Sequence, residues 1–162
     1  MSRKPFSRQD HAANDTKAKR LAVEFLEQGG LFKLDVPLDQ QPERYKDWDF
    51  FITSVDLQKN IYVEVQRKYG WKVYGRWQPQ FKTIHVEERK SDSLANLFVM
   101  FNYHWTSLLI GSMEKITKAK VIEKDCKLSD GSTLKNDRFY ELPPTSFDFY
   151  RLDGGIWRFT TP

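Results

Sequence analysis

The spacing of apolar positions along this chain changes once, near residue 30. From Thr16 to Gln28 the residues Ala18, Leu21, Ala22, Phe25 and Leu26 fall at i, i+3, i+4, i+7 and i+8, one face of an α-helix. Asn14, Asp15 or Thr16 can cap its start, and Gly29-Gly30 supplies the left-handed stop at its end. Beyond it the period is two. Leu31–Val36 reads as a short strand and Pro37–Lys46 as a polar connection. "DWDFFIT" (47–53) and "IYVEVQRK" (61–68) read as two strands of a hairpin, turning over Asp56–Asn60. "KTIHVEERK", "LFVMFNY", "TSLLIGS", "AKVIEKDCKL" and "RFYELP" follow as further strands. The last two are separated by the turn signal Ser129-Asp130-Gly131-Ser132. Residues 69–81, with two Gly, a Pro and five aromatics, read as an irregular excursion, and the tail from Pro143 as a loop-rich ending. One helix followed by many strands predicts an α+β fold, an N-terminal helix packed on a mixed, mostly antiparallel β-sheet. Residues 1–13, polar and basic, read as a flexible arm, and 14–162 as a single domain.

Strand parity sorts the polar residues. Ile61, Val63 and Val65 share one face, and Tyr62, Glu64, Gln66 and Lys68 the other, with neighbours on a face ~7 Å apart. In the preceding strand Asp47 and Asp49 lie opposite Trp48, Phe50 and Ile52. If the two strands pair, Asp49 comes close to Glu64. Two carboxylates with a carbonyl or amide oxygen form a hard-oxygen site suited to Mg²⁺, which can polarise a phosphodiester and activate water. The same alternation also describes a plain half-exposed strand with a solvated face.

Composition narrows the classes. The charge is +4, from 26 basic and 22 acidic residues, compatible with a polyanionic partner without requiring one. Aromatics reach 15 %, enough to fill a core or to stack on bases. Cys126 is the only cysteine, which excludes an internal disulfide and a zinc site of several thiolates and points to a reducing compartment. It reads as a small strand residue. The longest apolar run, Leu97–Phe101, is far short of the ~20 residues of a membrane span, and the N-terminus lacks the apolar stretch of a secretory signal. A cytoplasmic protein is expected. His11, His85 and His104 have no metal-ligand spacing, and no phosphate-binding or dinucleotide-binding glycine motif occurs.

The stretches "AVEFLEQGGLFKLDVPLD", "WDFFI" and "YVEVQ", within residues 18–68, together resemble the PD-(D/E)xK nuclease superfamily. Within it they are similar to the archaeal Holliday-junction resolvases and related phage-type endonucleases. The resemblance implies a restriction-endonuclease-like core and a metal-dependent endonuclease acting on DNA with Mg²⁺ or Mn²⁺. A second copy of the chain is an allowed partner, and a phage origin fits. It assigns Asp49 and Glu64 as metal carboxylates and the Val65 carbonyl as a neighbour of the ion. Gln66 stands where the family most often has lysine, so another cation must act or activity is weak or lost. Lys68, on the same strand face, is the first candidate, and His85 and Lys90 come from the next strand. Glu24 is at the approximate position of the family's helix acid, although the wheel puts it about 130° from the apolar stripe at 100° per residue. The alternative is a catalytically weak or inactive nucleic-acid-binding or assembly module of the same fold.

Basic side chains interleave with aromatics over residues 67–90. Arg67, Lys72, Arg76, Trp71 and Trp77 form a candidate nucleic-acid-binding set, cations for phosphates and rings for bases. The alternative is a hairpin whose rings fill the core. Lys115, Lys118, Lys120 and Lys124 read as a solvated face.

Overall fold

The computed structural model describes residues 8–43, 47–88, 93–127 and 131–162, with side chains from Asp15 onward. Helix α1 spans Arg8–Gln28 and is followed by ten strands: β1 Phe32–Lys33, β2 Phe50–Ser54, β3 Asn60–Lys68, β4 Ile84–Glu87, β5 Leu97–Asn102, β6 Ser107–Ser112, β7 Lys120–Lys127, β8 Thr133–Leu142, β9 Asp148–Asp153 and β10 Ile156–Thr160. A short helix, α2 (Met113–Thr117), starts where the Ser112 hydroxyl accepts the Lys115 N–H at 3.3 Å. The strands form a seven-stranded sheet, β1-β2-β3-β5-β6-β9-β10, and a three-stranded sheet, β4-β8-β7. Among the described residues only β3 and β5 pair in parallel. The fold is α+β and mostly antiparallel, as the change of period predicts.

The apolar stripe of α1 buries Ala18, Ala22, Val23 and Leu26. They pack with Phe50, Ile52, Val63, Val99, Phe101, Leu108 and Trp157, which places the helix on one face of the large sheet. The Gln28 side chain fastens its end to β10, donating to the Trp157 carbonyl at 2.8 Å and accepting the Trp157 N–H at 2.7 Å. The opposite face contributes Phe98, Met100, Leu109 and Phe149 to a second core, shared with Ile84, Val86, Tyr140 and Leu142 of the small sheet. The alternate residues of β4 and β8, among them His85, Glu87, Asp137 and Phe139, therefore point away from that core.

Several expectations change. The helix begins at Arg8, ahead of its expected caps, so residues 8–13 belong to it, and Asp15 sits inside, paired with Lys19 at 2.9 Å. Residues 1–7 lie outside the described residues. The strand expected over 31–36 shortens to β1, and that over 47–53 begins at Phe50. The tail is a β-hairpin: Ile156 pairs with Asp153, and Gly154 and Gly155 turn with φ of 59° and 80°. Both left-handed positions are those a two-residue hairpin turn of the primed type requires. It extends the large sheet beyond β6.

Candidate functional site

β2 and β3 pair antiparallel, with Phe50 opposite Val63 and Ile52 opposite Ile61. Asp49, just ahead of β2, also addresses Val63, donating its N–H to the Val63 carbonyl at 3.0 Å. Two residues facing one is the arrangement of a β-bulge, which reverses the side-chain parity behind it. Trp48 accordingly packs with Phe51 and Tyr62, at ring separations of 5.6 and 5.1 Å, and not beside Phe50 and Ile52 as strict alternation predicts. The Asp49 carboxylate turns back onto β3, where Oδ2 accepts the Val65 N–H at 2.7 Å. Within a strand a residue's N–H and C=O leave the same edge, so the Val65 carbonyl is directed off that edge too.

Glu64 precedes Val65 and projects to the other side of the pleat from Val63 and Val65. Its residue is 1 % exposed. The Ser93 hydroxyl is shared between the Asp47 carbonyl at 2.8 Å and Glu64 Oε1 at 3.2 Å. A buried carboxylate needs such partners, because an unpaired charge away from water costs several kcal/mol. Asp49 is half-buried.

Further along the same face, Gln66 and Lys68 meet the non-core face of the small sheet. They line a cleft of about 210 Å³ with His85, Glu87, Lys124, Cys126, Leu134, Asp137 and Phe139. A register shift brings both Leu134 and Asp137 to it: Lys124 opposes Asp137 while Cys126 opposes Leu134. Asn136, with φ of 54°, takes up the extra residue, its N–H held by Asp125 Oδ1 at 3.0 Å.

Inside the cleft the polar groups are linked. The Lys124 ammonium lies 2.6 Å from His85 Nδ1 and 4.6 Å from the centre of the Phe139 ring. An ammonium only donates, so Nδ1 accepts and the ring proton sits on Nε2, 3.1 Å from Glu141 Oε2. Thr83 Oγ1 also donates to that oxygen at 3.2 Å, and Lys120 pairs with Oε1 at 3.2 Å. Burial, followed by the Lys124 charge, lowers the His85 proton affinity against the pull of Glu141, which favours the neutral ring. Burial also lowers the Lys68 pKa, with Lys124 adding to the effect. Glu141 is held below the usual carboxylate range, first by His85 and then by Lys120.

Gln66, Lys68 and His85 are thus brought together, while Glu64 and Val65 lie at the middle of β3, with Asp49 beside them just ahead of β2. Glu24 is exposed on the helix side away from the sheet, the flank position its wheel angle implies. Lys90 lies outside the described residues. Trp71 and Trp77 are core residues, 0 % and 6 % exposed, packed on each other and on Phe149. Neither has a ring face for a base, so these two leave the nucleic-acid-binding set. Arg76 and Lys72 are exposed, with Lys72 5.5 Å from the Tyr103 ring centre. Arg67 stacks among Tyr69, Tyr103 and Trp105 and donates to the Tyr103 carbonyl. The sequence reading missed Lys124, Glu87, Asp137 and Phe139, whose strands carry no motif. The alternation of Asp137 with Phe139 was the available signal.

Compared with family models, curated proteins and solved structures, the chain matches none of them. Among the described residues, no helix is long and apolar enough to cross a membrane.

Proposed function

We propose that the chain is a metal-dependent nuclease of the restriction-endonuclease-like type, acting on DNA at the head of the cleft beside β3. The observation that carries this reading is the Asp49 carboxylate, fixed on the Val65 N–H at 2.7 Å next to buried Glu64. Bulges re-aim side chains and are over-represented beside active sites and at sheet edges.

Carboxylate and carbonyl oxygens are the donor type a hard divalent cation takes. Among the described residues no group of three or more His, Cys, Asp and Glu side chains forms a metal cluster. An ion here would therefore rest on the Asp49 and Glu64 carboxylates, the Val65 carbonyl and water. Mg²⁺ tolerates such a set, because it keeps several waters and takes one or two carboxylates. When bound, Mg²⁺ or Mn²⁺ supplies Lewis-acid polarisation of the phosphodiester and a more acidic water. The chain's own residues do the rest. Gln66 offers an amide N–H to a phosphate oxygen or to the water, and the ammonium groups along the cleft oppose the charge that develops on the phosphate. Exposed Arg76 and Lys72, with Arg67, offer phosphate contacts outside the cleft.

A second reading, a nucleic-acid-binding module that does not cleave, is favoured by the neutral Gln66 at the position that faces the cleft. One assay separates the two. Labelled linear, branched and single-stranded DNA are incubated with the protein in Mg²⁺ or Mn²⁺, alongside Asp49→Ala and Glu64→Ala. Cleavage by the wild type that both substitutions abolish is the expected result. Cleavage that survives both refutes the site, and binding without cleavage of any substrate selects the second reading.

A further inference from the structure

We infer that Lys124 completes the candidate site from the small sheet, placing its ammonium against the phosphate group that Gln66 faces. The inference rests on the nuclease reading and deepens it. β3 presents a neutral amide where phosphodiester chemistry needs positive charge, since the transition state gathers negative charge on its non-bridging oxygens. Lys68 shares the cleft, but it is drawn towards the Phe81 ring, 5.2 Å away. Lys124 comes from the opposite wall on β7, and β3 and β7 side chains share the lining of this cleft.

Lys124 is held as a preorganised donor. His85 Nδ1 takes one of its three N–H groups at 2.6 Å, and the Phe139 ring lies beneath it. His85 is anchored in turn on Glu141, and Glu141 on Lys120. This chain crosses all three strands of the small sheet and engages one of the three donors of the ammonium. The cleft also contains Glu87 and Asp137, so its two lysines face two carboxylates. Such a balance disfavours a general anion trap and suits one phosphate brought in on a longer nucleic acid. His85 is then a positioning residue, acting through Lys124.

Two readouts test this on Lys124→Met, Lys124→Arg, Glu64→Gln and the exposed-surface control Lys118→Met: cleavage rate in Mg²⁺, and affinity of the metal-free protein in EDTA for a labelled duplex across a salt series. The expected result for Lys124→Met is a rate about 100-fold lower. Its duplex affinity falls several-fold, and its salt slope is shallower by about 0.9, one phosphate's worth of counterions. Lys124→Arg recovers much of both, and Lys118→Met matches the wild type. If Glu64→Gln is inactive and Lys124→Met cleaves at the wild-type rate, the inference fails while the nuclease reading stands. A wild type that cleaves nothing fails the nuclease reading. Unchanged affinity and salt slope in Lys124→Met then overturn the phosphate contact itself. Thermal melts of each variant identify loss of folding, and Lys124→Gln, closer in shape and polarity, replaces Lys124→Met if the latter is unfolded.

Discussion

Replacing Asp49 with alanine removes the acceptor of the Val65 N–H while leaving β2 and β3 otherwise paired. The bond is charge-assisted and 2.7 Å long, the kind worth about 1.5–3 kcal/mol, and its loss leaves a half-buried donor without its partner. Because Asp49 is itself half-buried and water can reach the freed N–H, about 2 kcal/mol is the expected loss. For a chain of 162 residues, each kcal/mol moves Tm by about 2–4 °C, so Asp49→Ala should melt about 4–8 °C lower in EDTA. Asp49→Asn keeps a neutral carbonyl acceptor and should lose roughly half as much. The pair separates structure from chemistry: Asn restores much of the stability, yet both variants should lose metal-dependent cleavage. Added Mg²⁺ should raise the melting temperature of the wild type and leave that of Asp49→Asn where it was. Asp49→Ala melting with the wild type in EDTA would refute the hydrogen bond and with it the bulge that aims the carboxylate.

Three further outcomes follow from the same geometry. Asn102 is fully buried, and its Oδ1 accepts the N–H groups of Thr106 and Ser107 at 2.8 and 2.9 Å. Asn102→Ala orphans both donors and should cost about 2–6 kcal/mol at 1–3 each, read by urea unfolding; a loss below about 0.5 kcal/mol contradicts this. A Cβ on Gly111 would sit 2.6 Å from Phe147 Cδ1, so Gly111→Ala should destabilise by about 1–3 kcal/mol, and an unchanged melt would show that the ring moves aside freely. The His85 pKa is depressed on folding by burial and by Lys124 and Lys68, against Glu141. The unfolded chain therefore takes up the proton first, and stability should fall as pH drops from the unfolded value of about 6.5 towards the lower folded one. His85→Gln should flatten that part of the stability profile; an unaltered slope in the variant assigns it to other groups.

The sequence reading succeeded where periodicity alone decides. The α1 stripe, the β2/β3 hairpin and the opposite faces of Val63 and Gln66 all follow from spacing. It erred where one residue resets a period. The bulge at Asp49 turns Trp48 to the other side, and alternation counted through it cannot reveal this. Trp71 and Trp77 lie in an irregular segment with no period to assign an inside, so their burial depends on β9 and the small sheet. Lys124 looked solvated because it lies on the non-core face of a three-stranded sheet. Only the approach of β3 makes that face a wall, and no local pattern in β7 records it. The terminal hairpin is legible in "FDFYRLDGGIWRFT", which carries alternation around a two-glycine turn, although Gly and Pro content alone predicts a loop there.

The parallel contact between β3 and β5 has a consequence for synthesis. The chain between them must leave the large sheet, build β4 and return, and β4 has no partner until β8 arrives. The cleft joins Gln66 to Phe139, so the wall facing β3 is incomplete while the polypeptide is emerging from the ribosome and β8 is still unmade. The β2/β3 hairpin can form early from neighbouring residues, whereas the small sheet closes late over long sequence separations. A growing chain would hold Asp49 and Glu64 but not the wall bearing His85 and Lys124. Any activity that depends on both walls is therefore withheld until the chain has been made past Phe139.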